Sequence, residues 1–182
     1  MSKVYAMIAD GTEEVECLMV VDLLRRAGIQ TVLVSVCGRE IIGSHKIAIR
    51  ADMTVDEVDF ADADLIFLPG GIPGSNRLAD CAKLSAALTS HINGGKRVAA
   101  ICAAPSVVLG EKGFLRGVKA TCYPSFEGGL KGATVLPEAR VVTDGQFTTS
   151  RGLGCATDLG LELIKLLAGE QTANKIKNSI QY

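Results

Sequence analysis

Short runs of wholly apolar or β-branched residues alternate along this chain with stretches of helical spacing, and that alternation limits the fold more than any other feature. Val4–Ala9 is apolar throughout, as a strand covered on both faces requires. Glu14–Ala27 then places Val15, Leu18, Val21 (or Val20) and Leu24 on one side of a helix. Arg25 and Arg26 suit its negative C-terminal end, and Gly28 stops it. Thr31–Cys37, Asp64–Leu68 and Arg97–Ile101 are further strand runs, and Val118–Cys122 reads as a fifth. Gly38–Asp52 reads as a hairpin excursion, and Asp144-Gly145 as the turn of a hairpin joining Arg140–Thr143 to Gln146–Thr149. Helical patterns cover 76–81, 83–92, 103–109, 155–167 and 171–180. The sum is one α/β domain over 1–182: a flavodoxin-like, doubly wound, mostly parallel sheet with helices on both faces.

Such a sheet binds ligands at the C-terminal ends of its strands, so chemistry is sought in 10–16, 69–76, 102–106 and 122–127. Charge offers no guide to a partner. Nineteen basic residues against 20 acidic ones give −1, with no cluster suited to nucleic acid or an anionic membrane. The longest apolar run, Val98–Ala104, is far short of a spanning helix, and Val4–Ala9 is short for a signal sequence. A cytoplasmic protein with reduced thiols is expected.

Six cysteines are the unusual entry in the composition. None has CxxC spacing, and with two histidines in the chain no metal site or cofactor is indicated. Cys102 differs from the rest by its place, where the strand 98–101 meets a helix. The unpaired N–H groups and positive end of that helix are expected to lower the thiol pKa, in a turn resembling a nucleophile elbow. The competing reading is a small buried core residue. Pro69-Gly70-Gly71-Ile72-Pro73-Gly74, after the neighbouring strand, reads as an oxyanion hole, a phosphate cradle or simply a tight turn.

After the first strand, a dinucleotide site would need glycines, yet Glu13, Glu14 and Glu16 stand there and would repel phosphate. Thr12 reads as the N-cap, with Glu13 and Glu14 as partners of the helix dipole. Glu16 faces another side of the helix, toward Cys102. Desolvated and neutral, it would pair with a thiolate as acid with nucleophile. No histidine base is evident. His91 reads as solvated near the end of a surface helix, and His45 in the hairpin has no path to Cys102.

A-D-G-T-E-E-V-E (9–16), L-P-G-G (68–71), A-A-I-C-A-A-P (99–105) and T-S-R-G-L-G (149–154) together closely resemble the ThiJ/PfpI superfamily. Within it, the match is to the subfamily of the parkinsonism-associated protein deglycase and its bacterial relatives. The resemblance implies a flavodoxin-like homodimer with a reactive Cys102, a protonated Glu16 on its sulfur, and oxyanion donors at the Gly71 and Ala103 N–H groups. It further implies substrate contacts at Gly70, Tyr123 and Arg151, and places His45 and Arg26 near the site or a dimer interface. The implied activities are glutathione-independent glyoxalase, repair of dicarbonyl adducts on proteins, and oxidative-stress sensing with chaperone activity through a Cys102 sulfinate. Two positions depart from the pattern. PfpI-type proteases carry His directly after the nucleophile, where this chain has Ala103. The deglycase relatives carry His before the proline of Tyr123-Pro124, where this chain has a phenol, a poor base at neutral pH.

Overall fold

The computed structural model describes residues 2–182. Its strands and helices follow in the order β1 (Lys3–Ile8), α1 (Glu14–Arg26), β2 (Gln30–Ser35), β3 (Glu40–Ile42), β4 (Ala48–Arg50), β5 (Met53–Thr54), β6 (Leu65–Leu68), α2 (Gly74–Asp80), α3 (Ala82–Asn93), β7 (Arg97–Ile101), β8 (Lys119–Ala120), β9 (Thr134–Val135), β10 (Val141–Asp144), β11 (Phe147–Ser150), α4 (Ala156–Ala168) and α5 (Glu170–Ser179). Seven strands form the main sheet in the order β10-β11-β7-β6-β1-β2-β5, all parallel except the edge strand β10.

The central strands are apolar throughout because each face of the sheet carries its own core. In β1, Val4, Ala6 and Ile8 pack with Cys17, Val20 and Leu24 of α1 and Leu159 and Leu163 of α4. Tyr5, Met7 and the following Ala9 point the other way, to Leu78 of α2 and Leu84 and Leu88 of α3. The same alternation splits Leu65 and Phe67 from Ile66 and Leu68 in β6. Period-2 side-chain geometry buried on both sides favours apolar residues at successive positions. Helix α4 approaches α1 at Gly160, where an added Cβ would lie 2.5 Å from Leu23 Cδ1.

The chain leaves β1 toward one edge (β2, β5) and returns to β6 to build the other. Connections therefore pass to opposite faces after β1 and β6, and a crevice opens at their C-terminal ends. The hairpin expected in 38–52 is present as β3–β4, and the Asp144-Gly145 turn joins β10 to β11.

Two sequence expectations need correction. Val118–Cys122 is not a strand of the main sheet: β8 pairs only with β9. Side chains bind this segment to the sheet edge instead, with the Lys119 N–H donating to Asp144 Oδ2 (2.8 Å) and the Thr121 N–H to Thr149 Oγ1 (3.0 Å). The cap of α1 is Glu13, whose Oε2 accepts from the Glu16 N–H (2.6 Å). Thr12 is fully buried and its Oγ1 accepts from the Ala9 N–H (3.0 Å), closing the turn before the helix. No helix among the described residues is long and apolar enough to cross a membrane.

Candidate active site

Cys102 follows β7 with φ of +63°, in the left-handed region that a β-carbon disfavours by about 1–2 kcal/mol. Two hydrogen bonds hold it there. Its N–H donates to Ser150 O (3.0 Å) at the end of β11, and its carbonyl accepts from the Tyr123 N–H (2.8 Å). The chain then turns at once into helix, with the Val107 N–H reaching back to Ala103 O (2.9 Å). The turn is the strained strand-to-helix elbow expected from sequence, and it directs the thiol toward the crevice beside β6.

Two glycines make room there. A Cβ on Gly70 would overlap Glu16 Oε2 and stand 2.5 Å from Cys102 Cβ, so only glycine lets the carboxyl and the cysteine face each other. Gly71 has φ of +93°, and a side chain on it would lie 2.5 Å from Gly11 O. The Glu13 N–H donates to Gly70 O (2.9 Å), tying the loop after β1 to the loop after β6. The Gly71 and Ala103 N–H groups both approach the Cys102 sulfur.

Glu16 enters from the first turn of α1 and is 1% exposed. Burial pushes its carboxyl up to about 7, and the charge of Glu13 adds to the rise. The Cys102 thiol and the backbone of Gly70 and Leu153 pull it part of the way back, while Oε2 completes no hydrogen bond. Glu16 is thus poised to gain or lose its proton around neutral pH, where the sequence reading expected a neutral carboxyl.

The thiol does not behave as expected. Burial, the Glu16 charge and the hydrogen bond to Glu16 push Cys102 up to about 12, and the Gly71 and Ala103 N–H groups offset this only in part. The helix that follows is short and wide. It includes a π-type segment, Pro105–Gly110, with i→i+5 bonds such as Glu111 N–H to Ser106 O (2.9 Å). Once Glu16 ionises, the remaining proton of the pair therefore rests on sulfur beside the carboxylate. A thiolate forms only when that proton moves to the carboxyl.

Tyr123 stands at the opening, 48% exposed, edge-on to Phe126 with ring centroids 6.3 Å apart. Gly152 lies between it and the acid: a Cβ there would be 3.2 Å from Tyr123 Cδ2 and 3.9 Å from Glu16 Oε1. Arg151 precedes this glycine, and its guanidinium reaches Glu138 (3.2 Å). Gly152 and Leu153 were missed as individual site residues. Only the T-S-R-G-L-G motif signalled them.

The remaining candidates lie elsewhere. His91 is buried, not solvated. Its Nε2 bonds to Arg97 O (2.9 Å), Nδ1 has no partner, and burial lowers its pKa. Arg26 pairs with Asp22 (2.5 Å) at the far end of α1, about 15 Å of helix from Glu16, so within one chain it is not beside Cys102. His45 lies on the site side of α1, where its N–H and Nδ1 hold Glu14 (2.8 and 3.1 Å). Glu13, Glu14 and His45 have ligand-type atoms within 4.8 Å of one another, but Glu14 is already engaged by these bonds and by Ser44 Oγ (3.3 Å). Cys17, Cys122 and Cys155 are buried packing residues; Cys37 and Cys81 are half-buried, and all six thiols are unpaired. Cys122 packs in the core on the opposite sheet face from that beneath Cys102. A cleft of about 450 Å³ between β10 and the α4–α5 pair is lined by Arg140, Asp158, Glu162 and Lys177, and includes neither Cys102 nor Glu16.

Comparison with known proteins points the same way. Residues 2–166 match the DJ-1/PfpI family. Protein DJ-1 homolog B of Arabidopsis thaliana is 35% identical over 179 residues, which are 98% of this chain and 41% of that protein. The chain thus spans about two-fifths of the length of the Arabidopsis relatives it matches. Glutathione-independent glyoxalase DJR-1.2 of Caenorhabditis elegans is 28% identical over 172 residues, 92% of this chain and 89% of that one. The structure of oxidized Toxoplasma gondii DJ-1 superposes with a TM-score of 0.96 at 37% identity, covering 100% of this chain and 99% of that one. With the family match running across nearly the whole sheet and a solved relative of the same fold, this chain belongs to the DJ-1/PfpI family.

Proposed function

We propose that the protein is a glyoxalase- or deglycase-like enzyme that acts on reactive dicarbonyls, free or as early adducts on proteins, with Cys102 as nucleophile and Glu16 as proton shuttle. The observation that carries this reading is the buried Glu16 carboxyl facing Cys102 across Gly70, beside a cysteine flanked by two N–H donors. The C. elegans relative's name as a glyoxalase supports it.

With methylglyoxal the steps balance as follows. Ionised Glu16 takes the thiol proton as sulfur adds to the aldehyde carbon, and the Gly71 and Ala103 N–H groups receive the oxyanion. Glu16 returns that proton to the oxygen, giving a hemithioacetal. It then removes the C1 proton and delivers it to C2 by way of an enediol, the hydroxyl proton passing from the C1 oxygen to the C2 oxygen, which leaves a lactoyl thioester. Water adds, the C–S bond breaks, and lactate leaves with the thiol restored. Overall, methylglyoxal and water give lactate. Glu16 suits the work because a base with pKa near the ambient pH both accepts and returns a proton readily.

Lactate formation from methylglyoxal is the test. Wild type is expected to turn over, Cys102→Ser to be inactive, and Glu16→Gln to lose at least a hundredfold. Equal and negligible rates in all three exclude the enzyme.

A second reading is a redox sensor or chaperone switched by Cys102 oxidation to sulfinate, with neutral Glu16 donating to it. The oxidized state of the Toxoplasma relative and the phenol of Tyr123, a weaker base than the family histidine, favour it. Intact mass after mild peroxide would then show two added oxygens on Cys102 before any other cysteine; prior oxidation elsewhere contradicts it. Protease chemistry has no support, with Ala103 after the nucleophile and His91 buried against Arg97.

A further inference from the structure

We propose that Glu13 is a positioning residue for the Cys102–Glu16 pair: it clamps the helix turn that carries the acid to the glycine loop that faces the thiol, and acts on the acid through its own charge. The proposal deepens the reading above, resting on its acid–thiol pair but not on the identity of the substrate.

Three contacts define the clamp. Glu13 Oε2 accepts from the Glu16 N–H (2.6 Å), which fixes the first turn of α1. The Glu13 N–H donates to the carbonyl of Gly70 (2.9 Å), the residue across which Glu16 meets Cys102. A Cβ on Gly71 would lie 2.4 Å from the Glu13 nitrogen, so the loop that turns the Gly71 N–H toward sulfur is seated directly on this residue. A shift of Glu13 therefore moves the acid and an oxyanion donor together.

Helix capping alone does not account for a glutamate here. Serine, threonine, asparagine and aspartate are the favoured N-caps, and the first three would spare the burial of a charge. Glu13 is instead 8% exposed, in the same turn as Glu16 at 1%. Among the described residues, no lysine or arginine forms an ion pair with either carboxylate. The titratable groups that face them are Glu14 and Cys17 on α1, Cys102 after β7, and His45 of the β3–β4 hairpin, whose Nδ1 stands 3.6 Å from Glu13 Oε1. With no fixed cation to cancel it, the charge of Glu13 works on Glu16 and keeps its proton in place to higher pH. A carboxyl that exchanges its proton near neutrality is what a shuttle beside a thiol requires.

The test is the titration of the Glu16 side-chain carboxyl by carbon-13 NMR, assigned by its loss in Glu16→Gln, with thermal unfolding alongside. Wild type is expected to show a midpoint near 7. Glu13→Gln keeps an oxygen for the Glu16 N–H but removes the charge, so the midpoint falls by about 0.5–1 unit with no loss in Tm. Glu13→Asp keeps both the charge and a favoured cap, and stays close to wild type. The midpoint of Cys102 alkylation follows the carboxyl in all three proteins. A residue that only capped the helix would move Tm and leave these midpoints alone. An unmoved midpoint in Glu13→Gln, or an equal fall in Glu13→Asp, overturns the proposal; so does a wild-type Glu16 midpoint near 4.5, which removes the pair it rests on. The expected midpoints in a protein that forms no lactate support the proposal and strike the enzyme reading alone.

Discussion

Replacing Glu16 with Gln removes a titrating group from the interior while keeping its volume, so it isolates what the buried charge costs. The folded carboxyl titrates at about 7 against 4.5 for a free glutamate. That is about 2.5 pH units, or about 3 kcal/mol at about 1.36 kcal/mol per unit. The sign follows from proton binding. Below 4.5 both states hold the proton and nothing is lost. As pH rises from 4.5 to 7, the unfolded chain releases it while the folded chain keeps it, so stability falls across that window and levels off above. Between pH 5 and 8 about 2–3 kcal/mol of the loss is expressed. Glutamine has no proton to lose, so the stability of Glu16→Gln relative to wild type should grow by that amount over the interval. Urea unfolding at the two pH values measures it. With a slope of about 2 kcal/mol per molar urea, the difference between midpoints should shift by about 1 M. Other titrating groups are common to both proteins and cancel. A difference between the proteins that is constant from pH 5 to 8 would show that Glu16 ionises normally, and would refute the account of its burial.

Gly70→Ala introduces a Cβ that overlaps Glu16 Oε2 and lies 3.0 Å from the Ile101 backbone oxygen, with no φ penalty of its own. Thermal unfolding should register a loss of about 1–3 kcal/mol, with slower Cys102 alkylation at pH 8; a variant matching wild type in both contradicts the close approach. His91 should titrate below 6.5 by proton NMR, since charging Nδ1 would bury a cation without an acceptor. Its folded pKa is depressed, so it supports stability above 6.5 and withdraws that support as pH falls; a midpoint at or above 6.5 for the resonance lost in His91→Gln excludes this.

Much of the fold was legible because burial on both faces leaves a distinctive record. A run such as Val4–Ala9 cannot be a one-sided strand, and the elbow at Cys102 follows from an apolar strand running straight into Ala103-Ala104-Pro105. What misled was chemistry decided by neighbours distant in sequence. Val118–Cys122 has the residues of a strand, but the Thr149 hydroxyl and Asp144 carboxylate take its N–H groups in place of a backbone ladder. His91 sits at a helix position that reads as surface until the Arg97 carbonyl, six residues on, draws it inward. Glu13 displaced Thr12 as cap because the turn after β1 consumed the threonine hydroxyl first. The thiol pKa depended on the depth of Cys102 and the nearness of Glu16, and local sequence shows neither. Glu16 was found because its spacing from Glu14 turned it away from the cap.

The pH dependence of Cys102 alkylation by a small neutral reagent, followed by intact mass, tests the shared proton of Cys102 and Glu16 most directly. The account predicts that the wild-type rate rises from pH 6 to 8 with a midpoint near 7, as Glu16 ionises and can accept the thiol proton, and is then level. Glu16→Gln should react more slowly at pH 8 and continue to accelerate at higher pH, as an isolated buried thiol does. A wild-type rate that climbs steadily toward pH 10, or one that Glu16→Gln reproduces, would contradict it.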